Sequence, residues 1–445
     1  MIPAKVSVAL LSWNARKHLE TCLEALAEQD DPGVDWEILV LDNGSTDGTA
    51  DWLRAEILPH RSRHFRVRLI ASPVNLGFCA GNNRLVAEAA GDAVAFLNND
   101  TRPQRGWLKA LVAALAAAPP DVAAVSGKII DWQGSCLDFG RGVMTFDGHA
   151  FQLDFRRPLA TARVPAAGEE LLFACGGNML VRRASFLAAG GFDESYFAYL
   201  EDVDLGWRLW SGGERVLFAP GAVVHHRSSA TSDLLGLYNR GFLFERNAFL
   251  TAYKNYEDGV WERVMPALML TLMSRTERLL VASNPGTGTL QVDPYAGWIA
   301  NTGNGGSPVP QRVPITAGNI LRKWREHGPR TFVRKMAERL QAAIAAPPPP
   351  AATDAPRLTD ERTIAQLRSI HWLLGHLDGA AERRAAVQRR RRRPDREIFA
   401  RFPLWVVPTY PGDEHLFASP GFESWLPKDL PLVRSTLAEV MEVED

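Results

Sequence analysis

Short apolar runs alternate with amphipathic stretches along the first 120 residues. Val6 to Leu11 is a compact apolar run, suited to a strand buried on both faces. His18 to Gln29 follows, with Leu19, Cys22, Leu23 and Leu26 at helical spacing. The strand signal returns at Trp36 to Leu41, Val67 to Ala71 and Ala93 to Leu97. Helical patterns lie between and after them, at Thr49 to Leu58, Asn82 to Ala90 and Gln104 to Ala118, the last stopped by Pro119-Pro120. This rhythm predicts βαβ units, hence an α/β fold with a mostly parallel sheet flanked by helices. In such sheets ligands bind beyond the carboxyl ends of the strands.

The pattern then loosens. Val122 to Phe173 is glycine-rich with short strand signals, Phe192 to Trp210 reads as helix, and Val216 to His226 as strand. Leu234 to Leu280 is helical in pattern, Ser283 to Pro314 reads as loop, and Pro347 to Pro350 as an extended linker. One more helix is expected at Thr359 to Arg392, before a tail rich in proline and aromatics. The expected division is a sheet domain over 1–235, a helical extension with its long loop over 236–345, a linker over 346–357 and a C-terminal region over 358–445.

Composition narrows the class. At 445 residues the chain exceeds what one core fills, and 46% hydrophobic residues exclude a disordered chain. A net charge of −1 argues against a protein that coats nucleic acid. Cys22, Cys79, Cys136 and Cys175 are scattered without metal or disulfide spacing, as expected of reduced thiols. The N-terminus lacks the parts of a signal peptide, and the apolar stretch Val264 to Met273 is short and holds Pro266. A cytoplasmic protein without a membrane span is therefore expected.

Candidate chemistry clusters where the strands end. The first strand runs into Ser12-Trp13-Asn14, the second into Asp42-Asn43-Gly44-Ser45, the third towards Asn75-Leu76-Gly77-Phe78 with Asn82 beyond, and the fourth into Asn98-Asn99-Asp100. Carboxylates there can accept hydrogen bonds from a base or ribose, and glycines admit a phosphate close to the backbone. Any one such loop is ordinary turn chemistry, but four on one sheet edge point to a binding site. Gly190-Gly191 reads as a helix cap, and Glu201 and Asp202 open a helix whose Val203, Trp207 and Trp210 can pack inward.

Together these pieces resemble the inverting family 2 glycosyltransferases of GT-A fold, Rossmann-like in architecture, and within them the bacterial rhamnosyltransferase-like members that build cell-surface polysaccharides. The matching segments are Val8-Ala-Leu-Leu-Ser-Trp-Asn14, Val40-Leu-Asp-Asn-Gly-Ser-Thr-Asp47, Asn75-Leu-Gly-Phe78, Phe96-Leu-Asn-Asn-Asp100, Gly176-Gly-Asn178, Gly190-Gly-Phe-Asp-Glu194, Glu201-Asp-Val-Asp-Leu205 and His226. The resemblance covers about residues 5–235. It implies transfer of a sugar from a UDP- or dTDP-activated donor to a glycan or lipid-linked acceptor. It assigns Ser12, Trp13, Asn14, Asp42, Asn75, Gly77, Asn82, Asn98 and Asn99 to the nucleotide and donor. Gly176, Gly177 and Asn178 would border the donor and acceptor channel. Asp100 and His226 would hold a divalent cation, Mg²⁺ or Mn²⁺, with His225 as an alternative for the histidine. Asp202 would be the general base and Glu201 its helper. Two positions of the metal motif are Asn rather than acidic, which reduces the anionic ligands available.

Two other readings stand beside this one: a non-catalytic sugar-nucleotide-binding or scaffold subunit, and a nucleotidylyltransferase. The second would need a glycine-rich basic loop after the first strand, where Ser12-Trp13-Asn14 stands. Near the C-terminus, Arg389 to Arg393 with Phe399, Phe402 and Trp405 suggests peripheral contact with the anionic inner face of a membrane; no nucleic-acid-binding module accompanies the run.

Overall fold

The computed structural model describes residues 2–59, 66–227, 237–283, 361–410 and 412–441. Strands β1 (Lys5–Ser12), β2 (Asp35–Asn43), β3 (Val67–Ser72) and β4 (Ala93–Asn98) are parallel neighbours in the order β3-β2-β1-β4. Val6, Val8, Leu10, Ile38, Val40 and Val94 are fully buried, which is why these runs are apolar without strict alternation. The sheet continues through β10 (Asn178–Arg182), antiparallel to both β4 and β6 (Val122–Asp131), and then β11 (Arg215–His226), parallel to β6. β5 (Thr101–Pro103) closes that edge against β11, and β7 (Leu137–Phe139) pairs with β6. Smaller ladders join β8 (Gly142–Met144) to β9 (Ala150–Gln152) and β12 (Leu404–Val406) to β13 (Leu432–Arg434).

Helices α1 (Arg16–Ala27), α2 (Thr49–Trp52), α3 (Gly77–Glu88) and α4 (Trp107–Ala117) connect the first strands. α1 buries Leu19, Cys22, Leu23 and Leu26, the stripe its spacing predicts. Helix α5 (Arg183–Ala189) ends at Gly190, whose φ of 92° gives the left-handed cap expected there. The next helix departs from expectation. Instead of running from Phe192, α6 spans Glu201–Ser211, because Phe197, Tyr199 and Leu200 all have positive φ and no helix can pass through them.

Helices α7 (Leu237–Asn255) and α8 (Asp258–Ser283) follow, and no described helix is long and apolar enough to cross a membrane. The single helix expected after the linker is two, α9 (Glu361–Gly375) and α10 (Leu377–Arg390), turning at His376, whose ring stacks on Trp372. A short α11 (Asp395–Phe399) comes next. Met1–Leu280 and Asp360–Asp445 form one compact unit and Val281–Thr359 a second. The expected loop Ser283 to Pro314 lies outside the described residues except for Ser283, and the linker Pro347 to Pro350 wholly outside.

The C-terminal segment belongs to the core of the first unit. Phe399 is fully buried against Trp207 and Tyr256, and Phe402 packs on Trp210. Trp405 packs edge-on against Phe151. Arg393 donates to the carbonyls of Trp210, Gly213 and Glu214, and Arg391 pairs with Asp395 and reaches the Asn255 carbonyl. The rings expected at a membrane interface are therefore packing residues, and two of the five arginines serve as docking groups. Arg389, Arg390 and Arg392 remain exposed.

Candidate active site

Register brings the strand ends together. Ser12 stands opposite Asp42 across β1 and β2, and Leu11 opposite Asn98 across β1 and β4. Asn99 donates to Ser12 Oγ at 3.2 Å, linking the first and fourth strand ends. Asp42 is buried, and its Oδ1 has no hydrogen-bond partner among the described residues. A buried carboxylate oxygen left unpaired is costly, so this atom is suited to a ligand N–H or O–H.

Other expected residues hold the loops. Asn14, with φ of 50°, receives the Thr46 N–H on its Oδ1 and donates its own N–H to Ser45 Oγ. Asn75 Oδ1 accepts from the Asn43 amide and from the Gly77 N–H. Asn82 donates to the Phe78 carbonyl inside α3. Asn178 is wholly buried, its amide shared among Trp107, Lys128 and Ala222. Trp13 is half-buried at the rim. Gly77 has φ of 80°, and a Cβ there would lie 2.5 Å from the Phe197 ring. Only glycine meets both conditions at no cost.

Asp100, after β4, faces His226 at the end of β11, with Nε2 and Oδ1 3.4 Å apart. The other ring nitrogen, Nδ1, lies 2.6 Å from Asp138 of β7. His225, its neighbour on the strand, lies near the Trp132 carbonyl and Gln104, so His226 is the histidine at Asp100. Burial pushes the Asp100 carboxyl up, but the hydrogen bond and charge of His226 outweigh it and hold the group below its ordinary value. Burial alone would lower His226; the hydrogen bonds and charges of Asp100 and Asp138 raise it to about 10. Among the described residues no group of three or more His, Cys, Asp or Glu is placed to hold a metal. A carboxylate facing an imidazole, which gives up its Nε2 proton when a metal binds, nevertheless fits a cation that takes its remaining ligands from phosphate and water.

The carboxyl pair opens α6 and is tied to the strand ends through the loop before β10. Asn98 N donates to the Gly177 carbonyl, and a Cβ on Gly177 would sit 2.8 Å from the Asn98 amide. One residue earlier, Gly176 N donates to Asp202 Oδ2 at 3.0 Å, while Oδ1 accepts from Val203 N. Burial raises the Asp202 pKa against these two donors. Glu201 is buried, its Oε2 without a partner among the described residues; burial, and then the charge of Asp202, push its pKa well above the usual range. The pair thus ionises in two steps, the first charge residing on Asp202, which has the backbone donors.

What aims this pair is a clamp the sequence reading missed. Asn247 of α7 donates from Nδ2 to the carbonyls of Tyr196, Ala198 and Tyr199, and Arg246 also reaches the Tyr196 carbonyl. The strained residues just before Glu201 are so held from the helical extension. The Phe197 carbonyl also accepts from Phe78 N and Cys79 N at the start of α3. Asp138 was missed as well, because it falls in the irregular stretch after β6. No local signal set Asn247 apart, because α7 also buries Glu245, Arg246, Thr251 and Lys254.

Residues 7–188 match the family model for Glycosyl transferase family 2. Over 245 residues the chain is 34% identical to an N-acetylglucosaminyl-diphospho-decaprenol L-rhamnosyltransferase of Mycobacterium tuberculosis, covering 50% of this chain and 76% of that protein. It is 31% identical over 164 residues to a pre-mycofactocin glycosyltransferase of the same species, covering 37% and 33%. Among solved structures, a mannosyltransferase from Pyrobaculum calidifontis in complex with GDP-Man and Mn²⁺ aligns over 67% of this chain and 84% of that one, at 18% identity and a TM-score of 0.42.

Proposed function

The chain belongs to glycosyltransferase family 2, and on that premise we propose that it transfers a sugar with inversion, from a UDP- or dTDP-activated donor to a lipid-linked carbohydrate acceptor in cell-surface polysaccharide synthesis. The observation that carries this reading is the unbroken chain of contacts Asp42–Ser12–Asn99, continuing through Asp100 to His226, with Asn98–Gly177–Gly176–Asp202 branching from it. This arrangement supports the reading, because it brings Asp42, the Asp100–His226 pair and Asp202 to one rim, where a nucleotide, a leaving diphosphate and an acceptor hydroxyl would have to meet. The lipid-linked acceptor is favoured by the rhamnosyltransferase relative, whose name specifies a diphospho-decaprenol substrate.

In this reading the unpaired Asp42 oxygen accepts from the base or ribose, and Asn98 and Asn99 line the donor beside it. Asp100 and His226 hold a divalent cation, whose chemistry is to neutralise charge on the departing nucleoside diphosphate. The acceptor hydroxyl oxygen bonds to the anomeric carbon as the bond from that carbon to phosphate oxygen breaks. Asp202 takes the hydroxyl proton, and Glu201, still protonated, keeps a second negative charge out of the pocket. The exposed Arg389, Arg390 and Arg392 hold the enzyme at an anionic membrane surface, where such an acceptor is found.

The test is transfer from dTDP-rhamnose and a panel of UDP-sugars to a short-chain prenyl-diphospho-N-acetylglucosamine, using the full chain and Asp202→Asn. Expected is turnover with one donor class, lowered by roughly 10²-fold or more in the variant with donor affinity nearly unchanged. Equal turnover in both proteins sinks the assignment of the base, and no turnover with any donor sinks the function.

A further inference from the structure

A cavity of about 350 Å³ opens beside His226, on the side away from Asp100. His226 turns Nε2 towards Asp100 and Nδ1 towards Asp138, and both His226 and Asp138 line the cavity. The sheet order β2-β1-β4-β10-β6-β11 separates it from Asp42, so it is not where the nucleotide's base would sit. It does lie towards the carboxyl pair: Phe139, next to Asp138, packs its ring 6.0 Å from that of Phe173, three residues before Gly176, whose N–H donates to Asp202.

The walls of this cavity are aromatic and basic. The Arg227 guanidinium lies 3.7 Å from the centre of the Trp132 ring, and that of Arg102 lies 4.7 Å from it. Neither has a carboxylate partner among the described residues. Arg156 stands over Phe155 at 5.4 Å, on exposed backbone with φ of 63°. Two acids line the same cavity. Asp131 accepts from the N–H groups of Ser135 and Cys136, and Asp138 pairs with His226. Guanidiniums stacked on fixed rings are pre-aligned forks, the geometry that recognises phosphate oxygens two at a time.

We propose that this cavity binds the diphosphate of the lipid-linked acceptor, with Arg227 and Arg156 as anion-binding groups and Trp132 as the plate that orients Arg227. The inference rests on the reading of the chain as a transferase with such an acceptor, and it assigns the acceptor's charged end to residues outside the donor site. Bound there, the diphosphate would keep the acceptor sugar within reach of Asp202.

Calorimetric titration of the full chain with farnesyl diphosphate, without metal, tests it. Arg227→Ala with Arg156→Asn, an exchange that tolerates positive φ, should weaken binding by about tenfold or more. UDP binding with Mn²⁺ should hardly change in that variant, whereas Asp42→Ala should do the reverse. Arg227→Lys should recover part of the loss, because the charge returns without the fork. Inorganic pyrophosphate separates the sources: tighter binding of farnesyl diphosphate supports a lipid-linked ligand, and tighter binding of pyrophosphate overturns it. Unchanged farnesyl diphosphate affinity in the double variant, or a parallel loss of UDP, would overturn the assignment. A wild-type chain that binds no nucleotide fails the transferase reading instead, since the farnesyl diphosphate titration needs none.

Discussion

Glu201 and Asp202 are adjacent in sequence yet differ in their partners, and that difference sets their roles. Asp202 has two backbone donors, whereas Glu201 Oε2 has none. A carboxyl whose pKa is raised in the folded state weakens the fold as pH climbs past its unfolded value of about 4.3, because unfolding then lets it ionise. Glu201→Gln removes that penalty. The variant should unfold at a higher temperature than wild type at pH 7, with the gain gone near about pH 4, where the unfolded glutamate is itself protonated. A melting difference independent of pH would show that Glu201 is not the protonated partner. With His226 as the proposed metal ligand, Asp138 would act through it, since a carboxylate behind a ligating imidazole fixes its tautomer and orientation. Asp138→Asn should lower Mn²⁺ affinity by roughly 10- to 100-fold, read by calorimetry, with metal-free UDP binding unaltered. Equal Mn²⁺ affinity would reduce Asp138 to a packing residue.

Between residue and fold, the decisive element is the turn ahead of α6. Three non-glycine residues at positive φ, Phe197, Tyr199 and Leu200, cost of order 1–3 kcal/mol each and persist only where the surroundings impose them. α7 imposes them, through Asn247 on three carbonyls, and a buried charge network fastens the two helices. Asp204 of α6 pairs with Arg208 and with Lys254 of α7, and Lys254 also meets Asp193. Burial acts to raise Asp204, but the charges of Arg208 and Lys254 prevail and hold it low. Asn247→Ala should therefore lower kcat by about tenfold or more, since small misplacement of a catalytic group is expensive. The donor KM should change less than kcat, because Asp42 and Asn98-Asn99 are held by the pairing of β1, β2 and β4 rather than by this clamp. A fall in donor affinity with kcat intact would mean that the turn serves the donor.

At the scale of the molecule, the segment after residue 360 closes the core that the sheet domain leaves open. Trp207 and Trp210 on α6 are fully buried, and part of their cover is Phe399, Phe402 and the Arg393 side chain. A chain cut at the proline linker would lose that cover, so membrane contact is better tested by charge than by truncation. Replacing Arg389, Arg390 and Arg392 with Gln alters exposed groups only and should leave the melting temperature unchanged. Each basic residue near an anionic bilayer contributes about 1 kcal/mol. The triple variant should thus sediment less with anionic vesicles at low salt, and the wild type should lose its binding as salt rises. Equal sedimentation of the two proteins would return the run to a solvated helix end.

The α/β class, the strand-end location of Asp42 and Asn98-Asn99-Asp100, and the candidacy of Glu201, Asp202 and His226 could all be read from the amino-acid sequence. Those features are local: strand and helix periods, turn residues and short motifs are written in neighbouring positions. Tertiary structure decided that α6 starts at Glu201, that His226 rather than His225 faces Asp100, and that Asp138, 88 residues away, backs it. It also sets Asn247, 48 residues past Tyr199, against the turn ahead of Glu201 and Asp202 and makes Phe399 core. Each of these depends on a contact between distant segments, and neither periodicity nor propensity carries information about which distant segments meet.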